Sequence, residues 1–358
     1  MKIIFVITGL GLGGAERVVS DLADQMFSKG HQVKIAYLTG PIVTKPKSNS
    51  IEIIYLGLES LMDFPKASIK YRKLVKRFKP DIIHSHMVHA NIFTRLNRIV
   101  SKVPRLICSA HSNNEGGKYR MLAYRLTHHL ADYTTNVSKN ACDSFIKLNA
   151  IPNNDIHVMY NGIDFKKFMF NIKDNIHHNC KKNLIAIGRF HDAKDYPNLI
   201  KAYSIVLKNC NNLNVHLKIV GQTDEFIYPK VQKLIYENNL ENKIQIMGKR
   251  DDIPQLLSQA DFLILSSKYE GFGLVIAEAM ACGCFVIATD CGGTAEIMGN
   301  TGILVPPQDK RALALAIQQA FSLNTQAIVE NNKKARKRIE DLFSLEKSVE
   351  KWLEIYEQ

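Results

Sequence analysis

A chain of 358 residues is long enough for two domains, each with its own core. A hydrophobic share of 46% excludes a disordered chain, and no apolar run approaches the roughly 20 residues that span a bilayer as a helix. The formal charge of +13 is uneven: residues 1–165 hold 22 basic against 12 acidic side chains, so the first half carries +10 of it and points to phosphates, anionic lipid or nucleic acid as partners.

The chain opens on an apolar run, KIIFVI, followed by TGLGLGGAE. The run is too short for a secretory h-region and is soon followed by Glu16 and Arg17, so it reads as a first buried strand. Gly9, Gly11 and Gly14 fit G-x-G-x-x-G, and AERVVSDLADQMFSKG reads as the helix that follows. A dinucleotide site also wants an acidic residue about 20 positions on, at the end of the second strand. That strand ends KIAYLTGPIV and offers none. The glycines then serve either a tight turn or a bare helix N-terminus approached by an anion.

QVKIAYL, DIIHSH, RLICSA and DYTTNVS continue as buried parallel strands of a first unit. Between them, FPKASIKYRKLVKRFKPD carries Lys66, Lys70, Arg72, Lys73, Lys76, Arg77 and Lys79, with Ile69, Leu74, Val75 and Phe78 as an apolar stripe. It reads either as a solvated helix or as a patch for anionic lipid. The charge also suits nucleic acid, but no nucleic-acid-binding module is present in the sequence. His84, His86 and His89 are spaced H-x-H-x-x-H across a strand end, which does not put all three on one face; acceptor contacts or packing fit them better than a metal.

Asn161-Gly162 marks a turn and a change of unit. NLIAIGRF, VHLKIVG, KIQIMGK, DFLILSS, CFVIATD and GILVP then repeat the strand grammar, with helices such as YPNLIKAYSIVLKN and YPKVQKLIYENN between them. The fold class expected is α/β, two Rossmann-like doubly wound domains facing across a cleft. The boundaries expected are 1–164 and 165–343, with a helix at about 344–358 packing back on the first domain. The seven cysteines show no C-x-x-C, and a reducing cytoplasm suits them.

Ligands of open α/β sheets bind at the C-terminal ends of the strands, where two constellations fall. Arg189 and Lys194 follow the first strand of the second unit, and a planar guanidinium with an ammonium can hold a diphosphate. In DFLILSSKYEGFGLVIAEAMACGCFVIATDCGGTAEI, a buried strand ends in a polar loop and a helix begins near Leu274. Glu270 and Glu278 are placed to face one ligand from the loop and from two turns inside the helix, while Gly271, Phe272, Gly273 and Leu274 present amides at the helix start. Two carboxylates beside amides suit a polyhydroxylated, phosphate-bearing ligand such as a nucleotide sugar.

E-G-F-G-L-V-I-A-E resembles the Glu-(seven residues)-Glu signature of the family 4 retaining glycosyltransferases, which have the GT-B fold. GGAERVVSDLA, NGID, GRFHDAKDYPNLI, GGTAEI and GILVPPQD are similar to further motifs of that family, so the likeness runs along nearly the whole chain. The first half, with HSHMVHANIFTRLNR and CSAHSNNEGGKYRMLAYRLTHHLADYTTNVS, is similar to the bacterial polysaccharide-assembly branch. Asp195-Tyr196-Pro197 departs from the small residues common after the basic loop, leaving the basic pair intact.

The resemblance implies transfer of a sugar, with retention, from a nucleotide sugar, more often UDP-linked, to a polyprenyl-diphosphate-linked saccharide. It implies catalytic roles for His111, Arg189, Lys194 and Glu270. It places Gly13, Gly14, Gly188, Gly221, Arg250, Gly271, Phe272, Gly273, Leu274 and Glu278 at the donor, and His86, Asn113 and Glu115 at the acceptor. It implies no cofactor and no metal; the chain has no D-x-D motif to bridge a diphosphate through an ion. The location implied is the cytoplasm, peripheral at the inner face of the membrane. A nucleotide-sugar epimerase or phosphorylase on the same architecture, or a non-catalytic sugar-nucleotide-binding module, remains the alternative.

Overall fold

The computed structural model describes residues 1–113, 115–171, 181–210 and 214–358. The chain divides into two compact units, 1–162 with 346–358, and 163–345.

The first unit runs β1 (Lys2–Ile7), α1 (Gly14–Ser28), β2 (Gln32–Tyr37), β3 (Glu52–Tyr55), α2 (Phe64–Phe78), β4 (Ile82–His86), α3 (Val88–Arg98), β5 (Arg105–Ala110), α4 (Lys118–Thr127), β6 (Tyr133–Asn136), α5 (Lys139–Lys147) and β7 (His157–Val158). Its sheet has the order β3-β2-β1-β4-β5-β6-β7. All its strand pairs are parallel, with Ile3 opposite Val33 on one side of β1 and Ile82 on the other. Helices on both faces explain why the central strands are apolar throughout rather than alternating. Ile3 to Ile7 are fully buried, and Ile4, Val6, Ile83, Leu106, Tyr71 and Phe93 share one core.

The second unit runs β8 (Lys181–Ile187), α6 (Tyr196–Asn209), β9 (Asn214–Val220), α7 (Ile227–Glu237), β10 (Ile244–Ile246), α8 (Ile253–Gln259), β11 (Phe262–Leu265), α9 (Leu274–Ala281), β12 (Phe285–Thr289), α10 (Thr294–Met298), β13 (Ile303–Val305), α11 (Lys310–Ser322) and α12 (Thr325–Leu342). The parallel sheet has the order β10-β9-β8-β11-β12-β13. Leu184, Leu199, Tyr203, Leu217, Phe262 and Ile317 lie in its core. A bridge between Ile163 and Ser344 closes this unit, and the Leu345 amide donates to the Ile163 carbonyl (3.1 Å).

The final helix, α13 (Leu345–Glu357), belongs to the first unit from Glu346 onward. There the Tyr356 hydroxyl bonds His84 Nδ1 (2.7 Å), and the Trp352 ring packs at a tilt against the same imidazole, with ring centres 4.4 Å apart.

Both sheets reverse strand order at one place, between β1 and β4 and between β8 and β11. Loops leaving neighbouring strands there depart in opposite directions and open a crevice, which is where ligands of such sheets bind.

Two details differ from the sequence reading. The edge strands β3 and β7 carried no usable signal, being four and two residues long. In α2 the inward side is Ala67, Ser68, Tyr71 and Val75, with Leu74 and Phe78 half-buried, and Ile69 is exposed. Tyr71 reaches inward to pack edge-on against Phe93 (5.4 Å), which rotates the buried stripe away from Ile69. No disulfide joins the six described cysteines, and Cys180 lies outside the described residues.

Candidate functional site

In the second unit the switch point is built by close backbone approach. The Gly188 amide donates to Val220 O and the Gly221 amide to Gly248 O (2.9 Å each), so the loops after β8, β9 and β10 lie side by side. A Cβ on Gly221 would sit 1.8 Å from the Gly188 carbonyl oxygen, which excludes any side chain there. The Tyr196 hydroxyl donates to that same carbonyl (2.7 Å) and fixes the turn into α6. Arg189 follows, exposed and without a hydrogen bond or ion pair among the described residues.

The loop after β8 is stitched to the loop after β11. Ser266 Oγ donates to the Lys194 carbonyl (2.8 Å) and the Lys268 amide to the Ala193 carbonyl (2.7 Å). These contacts bring Lys194 Nζ onto the Glu270 carboxylate as an ion pair, with Ser267 Oγ donating to the same carboxylate (2.8 Å). Glu270 is held from a third side: a Cβ on Gly292 would lie 1.7 Å from its carbonyl oxygen, and Gly292 has φ +60°. Ser267 is fully buried, and its carbonyl accepts from Thr289 Oγ1 (2.6 Å). Sequence reading missed Ser267 and Gly292 as supports. The signals were a serine three residues before the first Glu and the Gly-Gly after β12.

Beyond Glu270, Gly271 is half-buried and Gly273 caps α9, which starts at Leu274. The first amides of α9 have no carbonyl within the helix to accept them. Phe272 turns inward against Phe343 (5.6 Å between rings), so a ligand could meet only its backbone. Glu278 is 4% exposed, in a helix whose residues from Ile276 to Ala281 are all buried. An acid in that setting is costly without partners, and Glu278 has them. Arg250, two residues past Gly248, is exposed and bidentate to Asp252 (2.8 and 2.7 Å) at the start of α8.

In the first unit the candidates gather at the ends of β4 and β5. His86 ends β4, and its Nδ1 lies 3.1 Å from Nε2 of His111, just past β5. His84 stacks beneath His86 with ring centres 4.0 Å apart and bonds Ser109 Oγ (2.7 Å). Burial lowers all three imidazoles, His111 to about 4 and the other two well below their ordinary value. The column is therefore uncharged at neutral pH. His86 Nε2 is buried without a hydrogen-bond partner among the described residues. Met87 follows with φ +73°, a strained conformation for a residue with a side chain. His89 is exposed in the first turn of α3, away from this column.

Glu115 lies behind His111. Its carboxylate accepts the His111 amide (2.8 Å) and a hydrogen bond from the Tyr124 hydroxyl, which also accepts from Asn91 Nδ2 (2.8 Å). Arg120 Nη1 donates to the Glu115 carbonyl (2.9 Å). Only 9% exposed, the Glu115 carboxyl is pushed up to about 7 by burial. Asn113 donates to Asn140 Oδ1 (2.8 Å). Asn91 and Tyr124, fully buried supports of this loop, look like ordinary core positions in the sequence.

The opening glycines cap α1: Gly13 is its N-cap and Gly14 its first residue. A Cβ on Gly13 would lie 2.3 Å from a carboxylate oxygen of Glu16, which is 9% exposed. The positive end of α1 thus already faces a carboxylate of its own chain.

The family model for "Glycosyltransferase Family 4" matches residues 12–167, and that for "Glycosyl transferases group 1" matches residues 181–322. The chain is 25% identical over 368 residues to the N-acetyl-alpha-D-glucosaminyl L-malate synthase of Bacillus anthracis, covering 96% of this chain and 94% of that one. It is 25% identical over 329 residues to the N-acetylgalactosamine-N,N'-diacetylbacillosaminyl-diphospho-undecaprenol 4-alpha-N-acetylgalactosaminyltransferase of Campylobacter jejuni, covering 87% and 88%. The fold matches that of Anabaena HepE, solved in complex with UDP and glucose, at a TM-score of 0.84 over 99% of each chain and 20% identity. The two matched segments occupy the two Rossmann-like units, and the chain belongs to the family 4 glycosyltransferases of the GT-B fold.

Proposed function

We propose that this glycosyltransferase moves a hexosyl or N-acetylhexosaminyl group, with retention and without a metal, from a UDP-sugar to a polyprenyl-diphosphate-linked saccharide in surface polysaccharide or glycan synthesis. The observation that carries this reading is the meeting of Lys194 and Glu270 beside Arg189 at the switch point of the second unit. A cation pair for a diphosphate and a carboxylate for sugar hydroxyls there match the two halves of a nucleotide sugar. The Campylobacter relative, named for an undecaprenol-linked acceptor, and HepE, solved with UDP, support the choice of acceptor and donor.

The chemistry follows from what each group can do. Among the described residues Arg189 has no ionic partner to give up, and it takes the diphosphate directly. Lys194 shares its charge between Glu270 and the phosphate oxygens. As the bond from the anomeric carbon to the UDP oxygen breaks, its electron pair goes to that oxygen, and these cations stabilise the growing charge without an ion. Gly188, Gly221 and the amides of Gly271 to Leu274 border the phosphates, and Glu278 takes the ribose hydroxyls. Arg250 would leave Asp252 to reach the base.

Glu270, already neutralised by Lys194 and hydrogen-bonded by Ser267, is a poor nucleophile and a good acceptor for donor-sugar hydroxyls. Retention then comes from front-face substitution: the acceptor oxygen attacks on the side UDP leaves, and the departing phosphate oxygen takes its proton. His111, kept neutral by burial, adds no positive charge beside the electron-poor carbon. Its side chain contacts the donor sugar; His86 and Asn113 face the acceptor, and Glu115 orders that loop. With Glu16 over the turn, Gly13 and Gly14 border the sugar diphosphate and the acceptor path by backbone, and the second unit's cations supply the attraction for phosphate.

The enzyme acts at the inner face of the cytoplasmic membrane. All seven cations from Lys66 to Lys79 are exposed, and Leu61 and Met62, just before α2, are each 91% exposed. No helix among the described residues is long and apolar enough to cross a membrane. Incubating the protein with single UDP-sugars and an undecaprenyl-diphosphate-linked saccharide, and weighing the lipid product, tests the reading. A gain of one sugar residue supports it; donor hydrolysis or epimerisation alone refutes it.

A further inference from the structure

The surface around α2 is mainly cationic, with the exposed Leu61 and Met62 just before it. Helix α4 adds a different kind of surface. Its inward side is Met121, Tyr124 and Thr127. The opposite side shows Tyr119 (91% exposed), Leu122 (50%) and Leu126 (64%), spaced i, i+3, i+7, so the three rise along one face. Large apolar side chains gathered in this way on a single helix face mark an interaction surface rather than scattered exposure. Arg98, in the last turn of α3, is tied to the Leu130 carbonyl just past α4 (2.9 Å), and the next two residues, Ile99 and Val100, are 67% and 64% exposed.

The flanking charges choose the occupant. From Gly116 to Ala131 the sequence holds no Asp or Glu, while Lys118, Arg125 and His129 are exposed beside the apolar face. Asp132 and Asp155, just outside this stretch, pair with Arg98 and His128, so the charge left beside the stripe is positive and complements anionic headgroups above acyl chains. The helix also begins directly after the loop of His111 and Glu115, so whatever α4 rests on lies beside the acceptor residues in sequence and in the same unit.

We infer that α4 is an insertion helix that seats Tyr119, Leu122 and Leu126 in the headgroup–acyl boundary of an anionic bilayer, beside the His111 loop. The inference rests on the lipid-linked acceptor of the proposed function. It differs from adsorption by α2, because burial of apolar side chains is not screened by salt whereas attraction between charges is.

The test uses the full chain and vesicles of phosphatidylcholine with phosphatidylglycerol, at low salt and at about 0.5 M salt, where the Debye length shrinks well below its physiological value. The triple variant Tyr119→Ser, Leu122→Ser, Leu126→Ser alters only exposed positions. Parent protein is expected to keep measurable vesicle binding at high salt, and the triple variant to bind at least about 10-fold more weakly at both salts. Its transfer to a short-chain, water-soluble acceptor is expected to equal that of the parent.

Equal vesicle binding by parent and variant overturns the inference. So does a parent dimer that the triple variant converts to monomer with vesicle binding unchanged, since the face would then meet a second copy. Loss of transfer to the soluble acceptor overturns it too, by placing α4 in the reaction itself. A parent that transfers sugar to neither acceptor refutes the proposed function, while vesicle binding still decides the role of α4.

Discussion

Lys194 and Glu270, 76 residues apart in sequence, form an ion pair whose side chains are 22% and 12% exposed. It joins the loops that follow β8 and β11, the neighbouring strands at which the second sheet reverses its order. Removing either partner leaves the other partly buried and uncompensated, at the place proposed for the diphosphate. Lys194→Ala and Arg189→Ala are each expected to lower kcat/KM by about 100-fold. Lys194→Ala combined with Glu270→Gln is expected to fall well short of the product of the single effects, because the two groups act as a unit. Steady-state kinetics of the parent, the three single variants and the double variant check this; near-parental rates for both cation variants remove them from the donor site.

Glu115 gives a pH signature. Its carboxyl ordinarily titrates at 4.5, and burial raises it to about 7 in the folded chain. Below 4.5 it is protonated in both states. Between 4.5 and 7 the unfolded chain releases the proton and the folded chain keeps it, so this group's contribution falls as pH rises and is lost above 7. The span corresponds to roughly 3 kcal/mol. Glu115→Gln keeps an acceptor for the His111 amide and removes the titration. Its stability relative to the parent is expected to rise from pH 5 to about pH 7 and to level off above that in urea melts. The buried histidines act in the opposite sense, losing stability as pH falls below their ordinary 6.5, but they are common to both proteins and cancel. A difference that does not change with pH contradicts the placement of Glu115.

Gly221 and Gly292 test the backbone packing that supports the pair. Alanine at either position puts a Cβ against a carbonyl oxygen, of Gly188 at 1.8 Å or of Glu270 at 1.7 Å. Backbone must shift, at a cost on the order of 1–3 kcal/mol. Thermal denaturation is expected to show that loss in each variant, and equilibrium dialysis a weaker affinity for UDP. Unchanged melting would mean that these loops are not packed as described.

The charge on α2 predicts a salt-sensitive attraction. Replacing Lys70, Lys73, Lys76 and Arg77 by Gln is expected to preserve the fold, since exposed charges contribute little to stability. Binding to anionic vesicles should weaken mainly at low salt, and transfer to the lipid-linked acceptor should slow more than transfer to a soluble one. Equal loss of both activities would assign α2 to the reaction rather than to a surface.

The fold was legible because its signal is local. Runs such as IIFVI and FLIL are apolar at every position, as strands covered on both faces must be, and glycine turns punctuate them. The family signature likewise lies in one continuous stretch around Glu270. What escaped the sequence depends on partners distant along the chain. Tyr356 reaches back to His84, Gly292 packs on Glu270, and Tyr71 turns α2 so that Ile69 faces solvent. Glu115 illustrates the limit: the family resemblance implied a contact with the acceptor, and only the tertiary structure shows the carboxylate against the His111 amide. The apolar face of α4 escaped for the same reason, since Leu122 and Leu126 look like core residues until the helix is seen to bury Met121 and Tyr124 instead.

Metal independence is checked by assaying transfer in EDTA. With Arg189 and Lys194 carrying the diphosphate charge, the rate is expected to be unchanged. A rate abolished by EDTA and restored by Mg²⁺ or Mn²⁺ would show that an ion does that work.

Retaining transfer to a lipid-linked acceptor is the reaction proposed for this enzyme. Its most direct measurement is NMR of the glycan released from an undecaprenyl-diphosphate-linked saccharide after incubation with the protein and an α-configured UDP-sugar. The account predicts one added residue whose anomeric proton shows the small coupling of an α-linkage for a gluco- or galacto-configured sugar. A β-linked product, or sugar found only on a small soluble acid and never on the lipid-linked saccharide, would contradict it.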